Sequence, residues 1–95
     1  MPPVHRHDDL RDCFATTVVQ GQSTVFAGGQ LVSVVGDPDS HGSGEFKDNG
    51  RTVLIGGKRV IAIGDIALPD NQCPIVGQPH CTPNAATGIS TVIIG

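Results

Sequence analysis

The apolar residues of this 95-residue chain come in short runs broken by glycine pairs, with no helical stripe among them. Thr24-Val25-Phe26-Ala27 leads into Gly28-Gly29, and Gln30-Leu31-Val32-Ser33-Val34-Val35 follows before Gly36-Asp37. The same order returns at Thr52-Val53-Leu54-Ile55, Gly56-Gly57, Lys58-Arg59-Val60-Ile61-Ala62-Ile63 and Gly64-Asp65. The two copies align without a gap, Thr24 on Thr52 and Asp37 on Asp65. β-Branched residues favour strands, and a Gly-Gly pair supplies positive φ at both central positions of a tight hairpin turn. Each copy predicts a β-hairpin that ends in Gly-Asp.

A third copy is divided between the two ends of the chain. Thr91-Val92-Ile93-Ile94-Gly95 matches Thr24 to Gly28, and Met1-Pro2-Pro3-Val4 takes up the pattern at the position of Gly29. His5 to Asp9 then match Ser33 to Asp37. Repeats are expected over about 22–41 and 50–69, with a split third over 88–95 and 1–13, all in one domain spanning 1–95. A last strand that breaks off where the first takes over predicts a closed ring with no unmanaged edge. The expected fold class is all-β: a small, closed pseudo-threefold ring of three β-hairpin repeats.

Composition narrows the class further. Apolar residues are 38% and charged residues 16%, with 13 glycines, 7 prolines, three Phe and no Trp or Tyr. No apolar run approaches the length of a membrane-spanning helix, and a helical bundle needs more Leu, Glu and Lys. Six Lys and Arg against nine Asp and Glu leave a net charge of −3, so no nucleic-acid partner is expected. Met1 to Leu10 lacks the apolar centre of a classical secretion signal, and synthesis in the cytoplasm is the expectation. A core this small and this poor in aromatics calls for a disulfide, a metal or a partner subunit.

The repeat alignment also places the candidate ligands. Cys13 lies four residues after Asp9 and His41 four after Asp37, so the two are equivalent. The third connecting loop, Asp65 to Thr91, is longer than its counterparts, Asp9 to Thr24 and Asp37 to Thr52, and contains Cys73, His80 and Cys81. Cys81 precedes Thr91 by one position less than Cys13 precedes Thr24 and His41 precedes Thr52. Thiolate and imidazole in a group of four are the ligands of tetrahedral zinc. The expectation is one structural Zn2+ per chain, held by four of Cys13, His41, Cys73, His80 and Cys81. A Cys73–Cys81 disulfide across the insertion is the competing reading. His5 and His7 are assigned to surface or core packing, and Asp9, Asp37 and Asp65 to turn capping. No nucleophile elbow, phosphate-binding loop or HExxH pair occurs, so the chain is not expected to be an enzyme.

In combination these residues resemble the PAAR-repeat family. Gln22 to Gly42 (QSTVFAGGQLVSVVGDPDSHG) is similar to the family's strand, turn, strand and Gly-Asp-Pro pattern, and Asn49 to Asp65 and Thr87 to Gly95 look like its other copies. Pro2 to Asp9 (PPVHRHDD) is similar to its N-terminal segment, with Asp8 where the pattern has Gly. The resemblance implies a small pseudo-threefold cone of three β-hairpin repeats, with loops converging on a metal-bound apex. It implies a zinc-stabilised, non-enzymatic tip that caps the trimeric β-helical spike of a contractile phage tail or type VI secretion system. It implies a cone base that docks on the spike, with Phe26, Leu54 and Ile93 as the contact residues, and an apex that touches the target membrane transiently. It also implies a location at the virion tail tip or secretion spike, delivery outside the cell on firing, and an effector or cargo as a further partner. The alternative is a small zinc-binding adaptor module that recruits a cargo or effector.

Overall fold

A computed structural model describes residues 2–93. Its regular elements are short: β1 (Pro3–Val4), β2 (Phe26–Ala27), β3 (Gln30–Leu31), β4 (Leu54–Ile55), β5 (Lys58–Arg59), the single-turn helix α1 (Cys73–Val76) and β6 (Ile89–Ile93). The fold is nearly all β, built of three two-stranded antiparallel sheets, β2–β3, β4–β5 and β1–β6.

The glycine pairs make the turns that the pattern calls for. Gly28 and Gly29 have φ of 58° and 86°, and Gly56 and Gly57 have φ of 57° and 82°. Phe26 pairs with Leu31 and Leu54 with Arg59 at the same register. The third hairpin joins distant parts of the chain, with Pro3 opposite Ile93 in the same repeat position. Its next pair breaks the pattern: Val4 faces Ile89 across an irregularity in the ladder. β6 consequently starts before the expected Thr91. Met1, Ile94 and Gly95, which the sequence assigns to this hairpin, lie outside the described residues.

Backbone hydrogen bonds link the hairpins in a circuit. The N–H of His5 donates to Ile61 O, that of Ile61 to Ser33 O, and that of Ser33 to His5 O, all at 2.9 Å. These are the same repeat position three times. A second set runs alongside, from His7 to Leu31, Val35 to Arg59 and Ile63 to Pro3, at 2.8–3.0 Å. Satisfying these groups internally lets such short strands be buried without orphaned donors. Val4, Val32 and Val60, also one repeat position, pack with Ala27 and Ala62 as the first apolar cluster. Phe46, Ile61, Ala67 and Ala85 form a second.

The acids after each strand close turns. Oδ2 of Asp9, Asp37 and Asp65 accepts from the N–H three residues earlier, of Arg6, Val34 and Ala62, at 2.8–2.9 Å. The residue before each acid takes positive φ: 96° at Gly36, 91° at Gly64 and 69° at Asp8. Asp tolerates the left-handed region better than most non-glycine residues. That explains how Asp8 can stand where the pattern has glycine.

Candidate metal centre

The three connecting loops meet around Asp70. Cys13 Sγ, His41 Nδ1 and His80 Nδ1 lie 3.5, 3.2 and 3.4 Å from Asp70 Oδ2. All four ligand atoms fall within 4.8 Å of one another. Four ligands at zinc–donor lengths of about 2.0–2.3 Å in a tetrahedron are separated by about 3.3–3.8 Å. The observed spacings around Asp70 are of that size. Cys13 and Asp70 are almost fully buried, while His41 and His80 are half-buried.

Local structure fixes each donor. The N–H of Gln72 donates to Asp70 Oδ1 at 2.9 Å, and the N–H of His41 donates to Asp39 Oδ1 at 3.0 Å. Each carboxylate thereby closes a turn with one oxygen, and the second oxygen of Asp70 faces Cys13, His41 and His80. The Asp70 N–H donates to His80 O at 3.0 Å, which ties the start of the insertion to its far side. Gly44 leaves room for the acids: a Cβ there would sit 2.8 Å from Asp39 Oδ2 and 3.1 Å from Asp70 Cβ.

Two buried carboxylates lie side by side at this cluster. Asp39 Oδ2 is buried with no hydrogen-bond partner, against a second buried carboxylate. Burial, and then the neighbouring Asp70, push the Asp39 carboxyl up to about 6. Burial would also raise Asp70, but its contacts with Asp39, the Gln72 N–H, His80 and Cys13 outweigh it and hold that carboxyl at about 2. Burial raises the Cys13 thiol, so a metal binding there would displace its proton. One thiol, two imidazoles and one carboxylate form a donor set that could hold a divalent ion.

A buried cation already sits behind the cluster. Arg11 Nε donates to Thr17 Oγ1 at 2.6 Å, Nη1 to Gly44 O at 2.7 Å and Pro83 O at 3.0 Å, and Nη2 to Asp37 O at 3.1 Å. Its guanidinium lies 3.8 Å above the centre of the Phe46 ring and 4.0 Å from Asp39 Oδ2. Burial lowers its pKa to about 10, which leaves it protonated at neutral pH. Arg11 thus holds carbonyls of the other two loops with a fork of donors.

The structure brings together Cys13, His41 and His80 of the five expected ligands. It departs from the expectation at Cys73 and Cys81, which are joined to each other as a disulfide with Cα atoms 4.7 Å apart. One turn of α1 and the return of the chain bring the two thiols face to face, and each is consumed by the other. Cys13 is the free cysteine. His5 and His7 lie outside the ligand group, and His5 is completely buried.

Sequence reasoning misses Asp70, although a signal exists. Counting four residues forward from Asp65, as from Asp9 to Cys13 and Asp37 to His41, reaches Pro69, one short of Asp70. Counting back from Thr91 by the interval that separates Cys13 from Thr24 and His41 from Thr52 reaches His80. Arg11 carries no comparable sequence signal. No protein-family model and no curated protein matches the chain.

Proposed function

We propose that this chain is a non-enzymatic, metal-stabilised tip of the PAAR-repeat kind, which caps the end of a trimeric β-helical spike. The observation that carries this reading is the apolar surface of the hairpins. Phe26, Leu54 and Ile93 share one repeat position and are 59%, 53% and 52% exposed. Val25, Val53 and Val92 share the preceding one and are 40%, 39% and 37% exposed. Three equal apolar pairs, one per hairpin, suit a partner that offers three equal sites. Exposed apolar surface repeated in this way is a mark of an interface.

The loops support the same reading. A tetrahedral site filled by four protein donors is structural, since a catalytic zinc keeps a position open. Zinc held by Cys13, His41, Asp70 and His80 would cross-link all three loops and remove their freedom at the leading end. The spike is that of a phage tail or a secretion machine, and the exposed Phe14 and Ile75 would meet the target membrane first.

Co-expression with a trimeric β-helical spike should yield a complex of one chain to three spike subunits. Phe26→Asp with Leu54→Asp should abolish it while circular dichroism and bound zinc stay unchanged. A well-folded double variant that still caps the spike would exclude the hairpin surface as the docking face.

A further inference from the structure

The Cys73–Cys81 disulfide closes the segment that carries half of the metal site. Asp70 lies three residues before Cys73, and His80 immediately precedes Cys81. The two ligands are thus at the two feet of the bridged loop. Backbone hydrogen bonds hold the feet as well, and the Asn71 N–H ties the first foot to Gly42 O at 3.0 Å. The Asp70 N–H reaches His80 O, and the Cys73 N–H reaches Asp70 O at 3.1 Å. Between them the loop has α1, whose Ile75 and Val76 are 76% and 61% exposed and which has no buried residue. With no apolar anchor of its own, the loop is closed by the covalent bridge and by the hydrogen bonds from Gly77 N–H to Cys73 O and from His80 N–H to Gly77 O.

The other two donors are placed differently. Cys13 is buried, and His41 is tied by its backbone to Asp39 in a loop that also holds Gly44 O for Arg11. Their positions do not depend on the disulfide. We infer that the Cys73–Cys81 disulfide is a redox gate on the metal site: closed, it presents Asp70 and His80 together, and opened, it releases the metal.

The chemistry balances with a dithiol as reductant. Two electrons and two protons pass to the disulfide, the S–S bond breaks to give the Cys73 and Cys81 thiols, and the dithiol closes to its own disulfide. In the open form the ordering of Asp70 and His80 has to be met by the binding energy of the metal, so affinity falls. The oxidised chain holds zinc in an oxidising compartment, and the reduced chain gives it up to a competing chelator. This inference rests on the metal reading of the Cys13, His41, Asp70 and His80 cluster.

The test is zinc affinity by chelator competition on the full chain, air-oxidised and after a phosphine reductant, with free thiols counted by mass spectrometry. The oxidised chain should show one free thiol and bind zinc at least tenfold more tightly than the reduced chain with three. Cys73→Ser with Cys81→Ser should match the reduced chain without any reductant. Because that variant could lose its fold, the reduced wild type gives the same comparison independently. Equal affinities, or tighter binding by the reduced chain, would overturn the gate while leaving the metal site standing. No zinc binding by the oxidised chain, with Cys13→Ser changing nothing, would overturn both.

Discussion

The hairpins and the loops of this protein share a repeating set of backbone hydrogen bonds, but the loops add buried polar anchors that the hairpins lack. The hairpins are closed by backbone hydrogen bonds that recur at equivalent repeat positions, over an apolar cluster of Val4, Val32 and Val60. The loops repeat as well, with the N–H of Val18, Lys47 and Ala86 donating to Pro38, Ile66 and Leu10 O at 2.9–3.0 Å. To these bonds they add one buried arginine, two buried carboxylates, a disulfide and a cluster of side chains that could hold a metal. The hairpins rest on many small, replaceable contacts, whereas the loop region adds a few buried polar residues, each with several partners. Single substitutions should therefore cost far more in the loops than in the turns.

The largest effect is expected at Arg11. Arg11→Met removes the donor of Gly44 O, Pro83 O and Asp37 O and leaves Asp39 facing Asp70 alone. Losing one partner from a buried charged cluster typically costs about 3–5 kcal/mol. Urea denaturation should show a loss of that order, with zinc affinity falling as well. A loss within about 0.5 kcal/mol, the scale of an ordinary surface change, would mean that Arg11 does not gather the loops.

His5 sharpens the comparison, because it belongs to the frame yet reaches the loop knot. Its Nδ1 lies 2.6 Å from Thr87 O, which can only accept, so Nδ1 carries the proton. Its Nε2 accepts from the Thr17 hydroxyl at 2.6 Å, and the Thr17 oxygen accepts in turn from Arg11 Nε. The neutral ring is thus locked in a directed chain. Burial lowers its pKa from 6.5 to about 4; the Thr87 carbonyl, Asp9 and Asp65 oppose that shift, and Arg11 adds to it. Between those two values the unfolded chain binds the extra proton and the folded chain does not. This part of the stability is complete above about pH 6.5 and is lost as pH falls towards 4, by about 3 kcal/mol in all. Asp39, raised to about 6, acts in the opposite direction over much of the same window. The contribution of His5 should therefore be read as the difference in stability between wild type and His5→Gln at each pH. A difference that does not change between pH 7 and pH 4 would show that His5 is not locked neutral.

A smaller contrast lies within the frame. Gly28 and Gly56 are equivalent, with φ of 58° and 57°, so alanine meets about the same left-handed cost at both, roughly 1–2 kcal/mol. A Cβ at Gly56 meets open space, but at Gly28 it would run into the Ile89 side chain of the irregular third hairpin. Gly28→Ala should be the more destabilising by up to about 1 kcal/mol, as overpacking adds to the backbone cost. Equal thermal shifts for the two variants would place Ile89 elsewhere.

The same contrast explains what can be read from the sequence. Turns at Gly28-Gly29 and Gly56-Gly57, the register of Phe26 with Leu31, and the capping acids all follow from local residue types repeated at a fixed offset. Cys13, His41 and His80 are legible as candidate ligands because each stands at the same distance before the next strand, at Thr24, Thr52 and Thr91. Asp70 and Arg11 are not, because their partners come from other loops and nothing in their neighbours marks them. Cys81 stands one residue off that spacing, and the turn of α1 places Cys73 opposite it. At the start of the insertion the repeat offset no longer applies, and tertiary geometry decides.

The most direct test of the metal centre is X-ray absorption at the zinc edge on the oxidised, zinc-loaded chain. The account predicts one zinc per chain with one sulfur donor, from Cys13, and three nitrogen or oxygen donors, from His41, His80 and Asp70. Two or more sulfurs, or no stoichiometric zinc, would contradict it.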